Sequence, residues 1–271
     1  MATKKSTASK NKTTKTTVTT VKKKNADLLK DTPLVGMGIA EFVGTFLLVA
    51  SIFAVQGQPL FVAFALVGLV IIFGGISGSH LNPAITAGAL ATKKIKGKTA
   101  VVYIVAQILG ALAAFALFSG ILATTSASET TETVYANGQQ LFHVVDITAD
   151  EAATKGKEWV LFVAELIGVF ALSLGVSAAL RNKKDKIAGA TGVGFALLVG
   201  LLIASSFTTV MLVENYTTLT FLNPAAAFAG FFAGGTSMFA LWPIMVFIVA
   251  PVVGGVLGFA LSDLLAKCEN K

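Results

Sequence analysis

The chain has 271 residues, 55% of them hydrophobic and only 13% charged, with a mean hydropathy of +0.79, whereas a soluble domain carries about a quarter charged residues. That excludes a soluble globule. The net charge of +7 belongs to a tail and not to a nucleic-acid-binding face, because nine of the 21 basic residues lie in the first thirty positions.

Residues Met1 to about Asp31 are Lys, Thr and Ser with almost no apolar content, too little to repay ordering entropy. They read as a disordered, solvated cytoplasmic arm, with the tail taken as 1–34 and the folded domain as 35–266. No secretory signal is expected, since the apolar stretch beginning at Pro33 runs far too long. An organelle transit peptide would favour Arg, and the arm has none, so its lysines read as attracted to anionic headgroups.

Beyond the arm, no Asp, Glu, Lys or Arg occurs in 42–92, 99–128, 187–213 or 215–262. One membrane span needs about 20 apolar residues, so the first and last runs each hold more than one membrane element. Spans are predicted near 35–56, 60–79, 100–123, 159–180, 188–211 and 239–264, making an all-α membrane protein of six transmembrane helices. Two further segments, one opening at Asn82-Pro83 and one at Asn223-Pro224, start about ten small or apolar residues, too short to cross. They read as re-entrant half-helices.

Lys and Arg cluster in the arm, in 93–98, in 181–186 and at Lys267 and Lys271, while the opposite side has only Lys155 and Lys157. With six spans, both termini are expected in the cytoplasm, and the acidic connection 124–158 outside. An internal repeat runs through the same elements: AEFVGTFLLV from Ala40 matches AELIGVFALS from Ala164, LNPAITAGAL from Leu81 matches LNPAAAFAGF from Leu222, and AQILGALAAFAL from Ala106 matches APVVGGVLGFAL from Ala250. Each half, about 35–123 and 159–266, holds three spans. The second copy is therefore inverted, which brings the half-helices together at the midplane.

Asn is a favoured N-cap, and Pro at the first helical position loses no needed hydrogen bond. Capping uses the side-chain oxygens of Asn82 and Asn223 and leaves their NH2 groups free to meet a water or alcohol oxygen between the half-helices. An oxygen that accepts from both turns its hydrogens away along the pore and interrupts a proton wire. Each half-helix N-terminus adds about half a positive elementary charge there, which repels cations.

Glu41 and Glu165 occupy equivalent repeat positions within predicted membrane helices, where a carboxylate needs partners; loop N–H groups or polar side chains are the expected ones. A proton relay would need further titratable membrane groups. His80 reads as a hydrogen-bonding strut of the first loop, and His143 falls in the external loop. The lone cysteine, Cys268, excludes an intramolecular disulfide framework and cysteine-built metal sites, and neither metal nor cofactor is expected. Small residues at Ala106, Gly110 and Ala114, and at Ala250, Gly254 and Gly258, are a packing signal. Asn215-Tyr216-Thr217 matches a glycosylation acceptor, a pattern too short to weigh.

The motifs SGSHLNPA, LNPA, AEFVGTF and AELIGVF resemble those of the aquaporin and glycerol-facilitator family, the major intrinsic proteins, over about residues 35–264. The resemblance implies a homotetramer with one pore per subunit, the paired motifs at Asn82, Pro83, Ala84 and Asn223, Pro224, Ala225, and loop bracing by Glu41 and Glu165. It also implies a selectivity filter at Val62, Thr220 and Ala226, with the fifth-helix position falling on Met211 by strict count or Thr208 when aligned at Gly194. Family members usually carry Arg where this chain has Ala226, and glycerol-type members usually follow it with Asp where this chain has Ala227. A wider, less polar filter is expected.

These features point to a passive plasma-membrane channel for water or small neutral solutes such as glycerol, with the bilayer and those solutes as its partners. No nucleophile, base and orienter set, phosphate loop or metal cluster points to an enzyme. The competing readings are a membrane structural or junction protein, favoured by the long acidic loop, and a coupled secondary transporter, which would need ion-binding groups beyond the two glutamates.

Overall fold

Four of the six prolines stand at the first position of a helix, where the missing N–H costs nothing. A computed structural model describes residues 33–125, 156–181, 185–211, 220–234 and 238–269, and every regular element among them is helical. These are α1 (Pro33–Ala54), α2 (Pro59–Phe73), α3 (Pro83–Ala91), α4 (Gly97–Thr125), α5 (Glu158–Arg181), α6 (Lys186–Met211) and α7 (Pro224–Gly234). The last span is composite: α8 (Leu241–Ile244), a π-helical turn (Met245–Val249) and α9 (Ala250–Glu269). The basic arm, most of the acidic connection with His143 and Lys155, Asn215-Tyr216-Thr217 and Lys271 lie outside the described residues.

Among the described residues, five helices are long and apolar enough to cross a membrane. The second span departs from the 60–79 expected. Helix α2 has 15 residues and ends at Phe73, about 22 Å at 1.5 Å per residue. Apolar residues continue past that point, but the chain turns at Gly74 and Gly75, and the Ser79 hydroxyl donates back to the Leu69 carbonyl at 3.3 Å. Hydrophobicity alone could not register that turn. The half-helices have nine and eleven residues, and neither crosses.

Packing follows the repeat. Helix α1 lies against α4 as α5 lies against α9, α2 meets its counterpart α6, and each half-helix packs on the last span of the opposite repeat, α3 on α9 and α7 on α4. Glycines set the close approaches. A Cβ on Gly110 would stand 2.3 Å from the Phe42 carbonyl oxygen, and one on Gly254 would stand 2.3 Å from that of Leu166, so the matched helix pairs touch backbone to backbone. At the end of the bundle where α5 and α9 finish, Lys94 pairs with Asp263 at 2.6 Å, and Arg181 donates to the carbonyl and hydroxyl of Ser262.

Candidate functional site

Each half-helix opens as the residue types dictate. Asn82 is the N-cap of α3, and its side-chain oxygen accepts from Ala84 N at 2.9 Å. Asn223 does the same for Ala225 N at 3.0 Å. The amides are not wholly free, as capping alone implies. Asn82 Nδ2 donates to the Leu222 carbonyl at 2.7 Å and Asn223 Nδ2 to the Leu81 carbonyl at 2.8 Å. One hydrogen of each amide thus ties the two loops together, and the other has no acceptor among the described residues.

The residues on which these amides dock are strained. Leu81 and Leu222 have φ of +48° and +51°, a left-handed conformation that costs an ordinary residue about 1–2 kcal/mol. Both are clamped at each end. Their carbonyls take the opposite Asn amide, and their N–H groups donate to Glu41 Oε2 at 2.7 Å and Glu165 Oε2 at 2.9 Å. Their side chains press on Gly44 and Gly168, where an added Cβ would come within 2.5 and 2.3 Å of a leucine methyl.

The two glutamates, both essentially inaccessible, are served unequally. Glu41 also accepts from His80 N at 3.0 Å, the Ser77 hydroxyl at 2.6 Å and Gln107 Nε2 at 2.7 Å. Among the described residues Glu165 has one other donor, Phe221 N at 2.7 Å. Around the first loop the polar network continues: His80 Nδ1 meets the Thr86 hydroxyl at 3.1 Å, Gln107 Nε2 donates to that hydroxyl at 3.0 Å, and Tyr103 OH donates to the Ser77 carbonyl at 2.6 Å. Ser77, Thr86, Tyr103 and Gln107 were not singled out from sequence. A glutamine and a tyrosine inside an apolar helix were the available signal, since a polar group there needs a partner.

A cavity runs between the repeats. Asn82, Asn223, His80 and Thr220 border it together with an aliphatic wall that includes Val62, Leu66, Leu172, Val176, Val193 and Leu197. The Thr220 hydroxyl is buried without a hydrogen-bond partner among the described residues. Of the expected filter set, Val62 and Thr220 are brought together on this cavity. Ala226 is buried in α7 and is not part of its lining; a methyl is too short to reach where an arginine would. Thr208 and Met211 belong to the end of α6, and their side chains lie outside the described residues.

The model of the family described as major intrinsic protein matches residues 28–261. The chain belongs to that family. It is 31% identical to the glycerol uptake facilitator protein-like 6 of Lactiplantibacillus plantarum, over 81% of this chain and 93% of that protein. It is 30% identical to the aquaporin AqpM of Methanothermobacter thermautotrophicus, over 72% of this chain and 70% of that one. In fold it resembles the X-ray structure of the aquaglyceroporin from Plasmodium falciparum, with TM-score 0.63 and 22% identity over 88% of this chain and 99% of that one. As a major intrinsic protein the chain is an integral membrane protein of a channel family, and the six spans and two half-helices have the arrangement that the repeat requires.

Proposed function

We propose that this protein is a passive channel for water and small neutral solutes such as glycerol, with ions and protons turned back where Asn82 and Asn223 meet. The observation that carries this reading is the cross-tied asparagine pair on the cavity. Each amide keeps one N–H that no atom of the described residues accepts, and both border the same space. A hydroxyl oxygen there accepts from both sides, so its own hydrogens point along the pore. Two converging helix N-termini, each worth about half a positive charge, disfavour cations at the same place.

Beside that pair the lumen has two kinds of lining: His80, Asn82, Thr220 and Asn223 are polar, and Val62, Leu66, Val193 and Leu197 are aliphatic. A polyol can use both, its hydroxyls on the polar groups and its CH backbone on the aliphatic ones. Water uses only the polar groups. Val62, Thr220 and the position of Ala226 form the filter in this reading, completed by Thr208 or Met211 from α6, and no side chain at Ala226 fixes a positive charge. Glu41 and Glu165 brace the loops, and His80 struts the first one. The working form is a homotetramer in the plasma membrane with both termini cytoplasmic, in keeping with the lysines of 93–98 and the family resemblance.

Stopped-flow volume changes of proteoliposomes in sucrose, glycerol and urea gradients test this. Fast water and glycerol entry with no dissipation of a proton gradient is the expected result. Flux that collapses or builds with an ion gradient would replace the passive reading with a coupled one.

A further inference from the structure

The two repeats place the same ring pair behind each asparagine loop but hold it by different means. In the first, His80 stacks edge-on against Tyr103 with centroids 5.2 Å apart, and Tyr103 is pinned by its hydroxyl to the Ser77 carbonyl. The matching positions in the second are Phe221 and Phe247, again edge-on, at 5.6 Å. Neither ring has a polar atom. At the position of Gln107, which donates to Glu41, the second repeat has Pro251.

That proline has a local consequence. It lacks the N–H that would bond to the carbonyl of Phe247 four residues earlier, and its ring crowds that carbonyl. The helix answers by widening: the Ala250 N–H reaches back five residues to Met245, closing the π-turn Met245–Val249. Single π-turns re-aim the side chains that they carry. Here the side chain is Phe247, buried, edge-on to Phe221 and, at 5.2 Å, to Phe231 of α7. The Phe221 ring also abuts Gly230, where a Cβ would lie 2.4 Å from its tip. Phe221 is also the residue whose N–H Glu165 holds, two positions before Asn223 and next to Thr220 on the cavity wall.

We propose that Phe247, aimed by the π-turn, is a positioning residue that holds Phe221 and through it sets the width of the pore at Thr220 and Asn223, and so its discrimination between water and larger neutral solutes. This rests on the channel reading above. The first loop is fixed by hydrogen bonds to Glu41, Gln107 and Tyr103. The second, among the described residues, has two backbone donors on Glu165 and the asparagine cross-tie at Leu222, and ring packing adds a constraint on Phe221 itself. Hollowing the space behind Phe221 lets its ring retreat from the cavity, and the constriction widens.

The test is Phe247→Leu in the full-length protein, reconstituted beside Phe247→Tyr and the parent, with water and glycerol flux measured on the same vesicles. The leucine variant is expected to raise the glycerol-to-water flux ratio by about threefold, the scale of one lost aromatic contact. The tyrosine variant, which keeps the ring, should retain the parent ratio. A parent-like or lowered ratio in Phe247→Leu overturns the proposal. Where that variant is not recovered folded, Phe247→Met carries the same expectation and the same refutation. Failure of both Leu and Met to fold while Tyr folds also overturns it, because the ring would then serve stability alone. A parent that conducts neither solute refutes the channel reading itself, an outcome distinct from these.

Discussion

The amide of Asn82 donates to the carbonyl oxygen of Leu222, 2.7 Å away in the other repeat, and Asn223 returns the bond to Leu81. The two half-helices are therefore joined by a reciprocal pair of buried hydrogen bonds, each ending on a leucine in left-handed conformation. Asn82→Ala removes a cap and one cross-tie and leaves the Leu222 carbonyl unpaired. We expect a loss of about 1–3 kcal/mol per unpaired buried group, read as a lower unfolding midpoint in detergent. Asn82→Asp should also fail to restore the tie, since a carboxylate oxygen in place of the NH2 cannot donate to that carbonyl. A midpoint in Asn82→Ala equal to that of the parent would show that the tie contributes nothing.

The glutamates predict an asymmetry. Removing either carboxylate strands two loop N–H groups, but Glu41→Ala also leaves the Ser77 hydroxyl and one amide hydrogen of Gln107 without their acceptor. Folded yield should therefore fall for both variants and fall further for Glu41→Ala, by about 1 kcal/mol or more for the additional groups. Size-exclusion recovery and thermal midpoints of the two single variants decide this. A larger loss for Glu165→Ala would reverse the assignment of the more heavily used brace.

Glycines of similar setting in sequence have opposite expected effects. Gly110→Ala drives a Cβ toward the Phe42 carbonyl oxygen, and backbone cannot swing aside as a side-chain tip can. Overpacking of this kind costs about 1–3 kcal/mol. Gly120, in the same helix, has nothing within 4 Å of its would-be Cβ. Gly120→Ala should be neutral or stabilising by up to about 1 kcal/mol, since Ala is the better helix former. Equal effects of the two changes would mean that α1 and α4 are not in backbone contact.

Those contrasts mark where the sequence stops being informative. The spans are legible because a charge-free run of 51 residues has few physical explanations, and the inverted arrangement because two halves with three matched segments and three spans each can only be inserted in opposite orientations. Helix starts are legible at Pro83 and Pro224, since proline announces a first turn. The end of α2 is not, because Ile76 is as apolar as what precedes it and the turn is made by glycines and by a serine bonding backward. The tie from each amide to the far leucine carbonyl is equally invisible, as it depends on a contact across 140 residues of chain. The π-turn before Pro251 is not legible in a span read as continuous over 239–264; that it places Phe247 against Phe221 requires the packed structure. Gly110 and Gly120 look alike until the neighbour of one is known to be a carbonyl oxygen.

Ala226 gives the last expectation its direction. It is buried in α7 just beyond Asn223, and its methyl does not form part of the cavity wall. Thr220, whose hydroxyl has no hydrogen-bond partner among the described residues, lines that cavity together with Val62. A guanidinium grown from position 226 would extend into that space. It would donate to passing oxygens and place a fixed charge where a low dielectric makes Coulomb effects much larger than in bulk water. Ala226→Arg should therefore lower glycerol and urea flux more than water flux, because the larger solutes lose cross-section while water keeps a donor to exchange with. The measurement is the ratio of the three permeabilities in proteoliposomes of matched protein content. Equal loss of all three would indicate plain blockage and would count against a filter at this level. If the parent passes water quickly but neither glycerol nor urea, the α6 residue at Thr208 or Met211 closes the filter by itself, and the wide pore inferred from Val62, Thr220 and Ala226 is wrong.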